Sequence, residues 1–200
     1  MDVGCGAQPY RGAIETAGLR YEGVDWPNSI HESDASDPVK WDLTKTPWPF
    51  ADAQFDALLC TEVLEHIPDP RRFIQECARV CRSGALMVLT TPMTWPEHEA
   101  PYDYYRFTRF GLRALFEDAG FWAEEIVARG GWNTALAQLV GFWVCHAFPK
   151  PWRYLLQVLA WPAVAILPCL DYWMPQEPEH LLTLGYAVFA RRDRARRTHS

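Results

Sequence analysis

The chain has no C-x-x-C pair among its 200 residues. Its six cysteines, Cys5, Cys60, Cys77, Cys81, Cys145 and Cys169, are scattered, which argues against a zinc framework, and no metal site is expected. Several sit inside apolar runs, the pattern of buried free thiols in a reducing compartment, so a cytoplasmic location is expected. Positive charge is also scarce. Lys and Arg number 19 against 25 Asp and Glu, a net charge of −6. Phosphate backbones call for a basic surface, so nucleic acid is not expected as a partner. No Gly-Lys-Ser/Thr follows a glycine loop, which excludes a phosphate loop, and the Gly4-Cys5-Gly6 turn has Pro9 where a dinucleotide fingerprint needs its third glycine. The opening residues are polar and glycine-rich, so no signal peptide is expected.

Apolar residues make up 49% of the chain, enough for a full core in one domain, or in one domain with an insertion. The organising stretch is Asp2-Val3-Gly4-Cys5-Gly6. An acid, a branched apolar residue and Gly-x-Gly predict a buried strand running into a tight turn, where the backbone takes positive φ or lets a ligand come close. In open α/β sheets that turn lies at the carboxyl end of the strands, where ligands bind. Asp2 would repel a pyrophosphate and attract a ligand carrying an ammonium and a sulfonium. A plain β-to-α turn is the alternative. Such a strand should carry more apolar residues ahead of Asp2, so a natural start upstream of Met1, or a shortened first strand, is expected.

Further along, a short helix is predicted over 13–18 and a second strand over 19–25. Asp25 lies about 20 residues beyond the glycines, the spacing at which a carboxylate accepts hydrogen bonds from ribose hydroxyls, though a lone Asp also serves as a turn or cap residue. Residues 26–40 read as a loop. Phe55 to Cys60 is a continuous apolar run, as a central parallel strand requires. Thr61-Glu62-Val63-Leu64-Glu65-His66 follows. Pro70 suits a first helical turn. Phe73, Ile74, Cys77 and Val80 recur at helical spacing, and Gly84 is expected to close that helix. A strand over 85–92, a helix over 109–119 closed by Gly120, a strand over 121–127 and a last strand over 182–190 complete an alternation that implies a parallel sheet.

These motifs together resemble the class I S-adenosylmethionine (SAM)-dependent methyltransferases, of the small-molecule, methyltransferase type 11-like kind. The resemblance rests on Asp2-x-Gly4-x-Gly6, on Asp42-Leu43 ahead of Pro49-Phe50, on Glu62-Val63-Leu64-Glu65-His66-x-x-Asp69-Pro70, and on the Phe107-Thr108 to Phe121 stretch. It covers 2–130 and 181–190. It implies an α/β, Rossmann-like sheet, mostly parallel with an antiparallel last strand, and SAM as cofactor. It implies that Asp2, Gly4, Cys5 and Gly6 cradle the amino-acid end, Asp25 the ribose, and Asp42 and Leu43 the adenine. Thr61 and Glu62 would lie beside the methionine portion. For an oxygen acceptor His66 is the candidate base, with a packing or capping role as its alternative. Tyr102, Tyr104 and Arg106 are candidate acceptor contacts, Arg106 pairing either with a substrate anion or with Asp103 or Glu62.

Residues 131–180 fall outside the resemblance. Some fifty residues are too many for a structureless loop. The stretches 134–148 and 152–170 are apolar, the second approaching the roughly twenty residues of a spanning helix but holding Arg153, Gln157, Pro162 and Pro168. They predict a hydrophobic helical insertion that caps the domain, dips into a membrane surface or spans it. A basic tail over 191–200 could attract anionic headgroups or serve as a solubilising end. The expected function is methyl transfer to a small-molecule, glycan or lipid-linked acceptor, in the cytoplasm or peripherally at the inner face of a membrane. The rivals are an inactive SAM-binding scaffold at a membrane and an NAD-dependent oxidoreductase, the latter disfavoured by Asp2 and Pro9.

Overall fold

The computed structural model describes residues 1–27, 38–174 and 182–193. Seven strands form one sheet in the order β3-β2-β1-β4-β5-β7-β6. They are β1 Asp2–Val3, β2 Gly23–Asp25, β3 Val39–Lys40, β4 Phe55–Thr61, β5 Cys81–Pro92, β6 Phe121–Ala128 and β7 Gly185–Arg192. The pairs β1–β2, β1–β4, β2–β3 and β4–β5 are parallel. β7 runs against its neighbours: the Arg129 N–H bonds the Gly185 carbonyl at one end, and the Asp193 N–H bonds the Gly120 carbonyl at the other. The sheet is thus mostly parallel with an antiparallel last strand.

The strands β1, β2, β4 and β5 read as apolar because they are covered. Val3, Val24, Leu58, Cys60, Met87 and Leu89 are all buried. Each such side chain contributes about 1.5–3 kcal/mol when withdrawn from water. Helix α2, Pro70–Val80, begins at the Asp69 cap, whose side chain accepts from the Arg72 amide. It buries Phe73, Ile74, Cys77 and Val80, the stripe that the helical spacing predicts. Glu76 shares that buried face because its carboxylate takes the Trp48 amide at 2.6 Å and the Arg79 guanidinium at 2.6 Å. Helix α3, Arg109–Asp118, starts at a Thr108 cap and ends before Gly120, whose φ is +84°.

Five boundaries differ from the sequence expectation. The first helix, α1, is Arg11–Thr16, and its strand β2 has only three residues. Gly84 does not cap α2. The helix stops at Val80, and Gly84 sits inside β5 at φ +85°, where the pairing jumps from Phe55↔Cys81 to Ala57↔Leu86. A bulge uses the same positive φ as a helix cap, so the glycine alone does not separate them. Residues 39–40 form a strand where a loop was expected. Finally, β7 extends through Arg191 and Arg192, so these two belong to the sheet: Arg191 pairs with Glu124 at 2.8 Å and Arg192 donates to the carbonyls of Ala78 and Gly120. The remainder of the expected tail lies outside the described residues.

The chain divides into two compact units. One holds 1–91, 97–126 and 187–200. The other holds 92–96 and 127–186 and contains helices α4, Trp132–Ala147, and α5, Trp152–Trp173. Helix α5 runs unbroken through Pro162 and Pro168.

Candidate functional site

After β1 the chain passes to β2 on one side, and β4 later occupies the other. The gap between β1 and β4 is therefore the switch point of the sheet, where ligands of such folds bind at the carboxyl ends. A cleft lies there, lined by Asp2, the Gly4-to-Tyr10 loop and Thr61. The loop backbone is shaped for close approach. Gly4 and Gly6 have φ of +69° and +47°. A Cβ on Gly4 would stand 2.3 Å from Val63 Cγ2. Side chains are thus excluded where the loop turns past the 61–66 segment.

Asp2 is buried at the cleft wall. Burial raises its pKa, opposed by the Tyr21 hydroxyl, which donates to Oδ2 at 2.7 Å. Burial, then the charges of Asp25 and Asp2, push the Cys5 thiol up to about 12, so Cys5 is a neutral wall residue and not a nucleophile. Asp25, at the end of β2, is 7% exposed, and its Oδ2 is buried with no hydrogen-bond partner among the described residues. A carboxylate oxygen in that state costs free energy unless a ligand donor meets it. Paired hydroxyls would do so.

The other predicted contacts are placed differently. The Asp42 carboxylate accepts from the Thr44 hydroxyl at 2.6 Å and amide at 3.1 Å, with Lys45 Nζ 3.3 Å away. Burial works against its ionisation, but the Thr44 and Lys45 contacts outweigh it and hold the pKa low. That is a turn aspartate. Leu43 is buried and its carbonyl accepts from the Trp48 indole. Glu62 has φ +54°, and its carboxylate takes the Thr90 hydroxyl at 2.7 Å. Arg106 is bidentate to Asp103 at 2.6 and 2.7 Å, which holds the Asp103 carboxyl well below the usual range.

His66 ends the 3-10 turn Leu64–His66 that follows β4. Its Nδ1 lies 2.7 Å from the Tyr102 carbonyl, and a carbonyl only accepts, so Nδ1 carries the proton and Nε2 the lone pair. Nε2 lies 3.9 Å from Glu65 Oε1 and 3.9 Å from Glu99 Oε2. The His98 ring packs edge-on at 4.8 Å. Tyr104 and Tyr105 amides bond the Glu65 carbonyl, so the 102–106 loop lies over this turn.

Sequence reasoning passed over Glu65 and His98. Glu65 is 0% exposed, accepts from Thr91 at 3.3 Å, and has an unpartnered Oε1. Burial raises its pKa to about 8, with Glu62 adding to the shift. Glu65, His66 and His98 offer polar atoms within 4.8 Å of one another, near enough to hold a cation or to share a proton. The signal available in the sequence was a glutamate inside an apolar turn, Val63-Leu64-Glu65-His66-Ile67, where no solvated face exists for it.

Residues 1–89 match the family model of the methyltransferase domain. The chain is 37% identical over 95 residues to an uncharacterized methyltransferase of Mycobacterium sp. (strain JLS), a match covering 45% of this chain and 37% of the relative. It is 32% identical over 98 residues to the ubiquinone biosynthesis O-methyltransferase of Coxiella burnetii (strain RSA 493 / Nine Mile phase I), covering 46% of this chain and 42% of the relative. The chain thus spans about two fifths of the length of these curated relatives. Among solved structures it is similar to a SAM-dependent methyltransferase from Archaeoglobus fulgidus, with a TM-score of 0.61 and 15% identity over 95% of this chain and 84% of that one. One from Mesorhizobium loti gives a TM-score of 0.59 and 17% identity over 96% and 89%. Residues 1–89 thus match the methyltransferase-domain family, the sheet has the fold of the solved SAM-dependent methyltransferases, and SAM is the cofactor that this likeness implies.

Proposed function

We propose that the protein transfers the methyl group of SAM to a hydroxyl oxygen of a small, glycan or lipid-linked acceptor. The observation that carries this reading is the cleft at the β1–β4 switch point together with the unpartnered Oδ2 of Asp25. The cleft suits the amino-acid end of SAM, with Asp2 as the anionic wall, and Asp25 suits the ribose diol. Leu43 would border the adenine ring. Asp42 would reach the adenine amino group only by giving up part of its Thr44 and Lys45 contacts. Thr61, at the end of β4, and Glu62 would flank the methionine portion.

Bound SAM supplies an activated methyl carbon on a sulfonium, displaced in line as a neutral thioether. The protein's part is alignment, worth about 7–11 kcal/mol for a well-held pair. His66 is the group that would accept the acceptor's proton, at Nε2, while Nδ1 stays tied to the Tyr102 carbonyl. Protonation of the ring draws the adjacent Glu65 toward ionisation, since opposite charges at that range favour each other. Tyr102 and Tyr104, both exposed, are offered as stacking surfaces for the acceptor. Arg106 would act by holding Asp103 and the loop. The oxygen acceptor is supported by this base and by the name of the Coxiella relative.

Calorimetric titration with SAM, with S-adenosylhomocysteine and with NAD tests the reading. SAM and its demethylated product should bind, and labelled methyl should pass to hydroxylated small molecules, glycans or extracted lipids. Binding of NAD instead rejects the reading. SAM binding with no transfer to any acceptor reduces the protein to a cofactor-binding scaffold.

A further inference from the structure

The helical hairpin α4–α5 has its polarity reversed. In water a helix pair buries apolar stripes and exposes charge. Here no residue of α5 is buried, and none of its exposed residues is charged. Val158, Leu159, Trp161 and Ile166 are 72, 66, 70 and 59% exposed. The outward stripe of α4 runs through Trp132, Leu136, Leu139 and Trp143 at helical spacing. Apart from the rings at its ends, the polar side chains of α5 are Arg153, Gln157 and Asp171, and all three are turned to the hairpin itself. Arg153 donates to the Phe148 carbonyl and Gln157 to Cys145 Sγ. Asp171 accepts from the Gly131, Asn133 and Thr134 amides and from both of the latter side chains, so it caps α4. On α4, Gln138 donates to the Thr94 carbonyl at 2.6 Å.

We propose that this hairpin is seated in a phospholipid bilayer. Hydrocarbon offers no hydrogen bonds, so every polar group within it must be satisfied internally, which is the pattern described. The 22 residues of α5 span about 33 Å, against roughly 30 Å of hydrocarbon. Its ends carry Trp152 and Tyr154, and Tyr172 and Trp173, the amphipathic rings that favour the two borders of the apolar layer. The charged Lys150 is confined to the connection between the helices, and the exposed His146 to the last turn of α4. A second copy of the chain would explain an apolar stripe, but not a clustering of aromatic residues at both ends of α5, where Trp161 is the single aromatic between them.

The full chain, purified in mild detergent, is mixed with vesicles of phosphatidylcholine alone or with phosphatidylglycerol added, and floated through a density gradient. The protein should float with both and stay bound in high salt, with tryptophan fluorescence quenched by brominated lipid. The double variant Val158→Glu/Trp161→Glu should lose about tenfold or more of the floating fraction with unchanged circular dichroism. If that variant misfolds, Leu159→Ser replaces it and should still weaken flotation. Wild type that stays in the aqueous fraction, that floats only with the anionic vesicles and is released by salt, or that forms a stable dimer on detergent removal overturns the proposal. So does flotation unchanged by the charges.

Discussion

The two units of the chain treat polar atoms in opposite ways. The sheet unit buries its aliphatic residues and, among the described residues, leaves two carboxylate oxygens unpaired, Asp25 Oδ2 and Glu65 Oε1. The hairpin exposes its aliphatic residues and pairs its buried polar atoms. Neither pattern is the cheapest for an isolated protein in water. A buried orphan oxygen costs roughly 1–3 kcal/mol and persists where a ligand or a proton completes it. A solvent-facing stripe of Trp, Leu and Val persists where something other than water covers it. The sheet unit is therefore incomplete at points, and the hairpin along a surface.

A charge placed in each unit tests that contrast most severely. Leu89→Glu, at a 0% exposed site in β5, should unfold the sheet unit, because a lone buried carboxylate and lost packing together exceed about 4 kcal/mol. Leu159→Glu, at a 66% exposed site in α5, should leave the thermal midpoint of the soluble fraction unchanged and raise solubility without detergent. Equal loss of stability in both variants would break the comparison. Gly4→Ala comes next. The methyl would meet Val63 Cγ2 at 2.3 Å on a backbone of φ +69°, a combination costing a few kcal/mol. Affinity for SAM in calorimetry should fall about tenfold or more, while flotation with vesicles stays as in wild type.

Glu65 gives a pH-dependent test. Its pKa rises from 4.5 to about 8 on folding. The folded chain then holds a proton that the unfolded chain has released, so this contribution is complete below about 4.5 and is lost as pH climbs to about 8. Denaturant melts of wild type should weaken over that window relative to Glu65→Gln, which keeps the neutral shape. At pH 9 the variant should be the more stable of the two, by an amount on the order of a few kcal/mol. Parallel pH curves would show that Glu65 is already ionised at neutral pH.

How much of this was legible before folding depends on range. The strand–turn–strand order followed from local patterns: an acid before Gly-x-Gly, an apolar run before Thr61, a helical stripe before Cys81; the antiparallel end and SAM as cofactor followed from the family resemblance that those motifs carry. The hairpin's existence was legible for the same reason, since long apolar stretches persist whatever surrounds them. What was not legible was pairing across the chain. Asp42 reads identically whether it meets adenine or Thr44. Arg106 reads identically whether it meets a substrate or Asp103. Glu65 lay inside a familiar motif, and only its burial against Thr91 and His66 marks it. The inward turn of Arg153, Gln157 and Asp171 was also hidden, because those residues look like interruptions of an apolar run until the partner helix is placed.

The finest test separates the two kinds of buried acid within the sheet unit. Asp25→Asn keeps size and removes charge, and its Oδ2 has no protein donor to lose. Folding should therefore be unaffected or slightly favoured, since the uncompensated desolvation of a carboxylate is relieved. Cofactor affinity should drop about tenfold, the value of one or two charge-assisted hydrogen bonds to hydroxyls. The same change at Asp2 replaces the ionised acceptor of the Tyr21 hydroxyl with a neutral amide oxygen and weakens that bond, so Asp2→Asn should be less stable than Asp25→Asn. If Asp25→Asn loses stability and keeps affinity, Asp25 is a turn residue and the ribose lies elsewhere. If affinity falls with the fold intact, the orphan oxygen at the end of β2 is a ligand contact waiting for its donor.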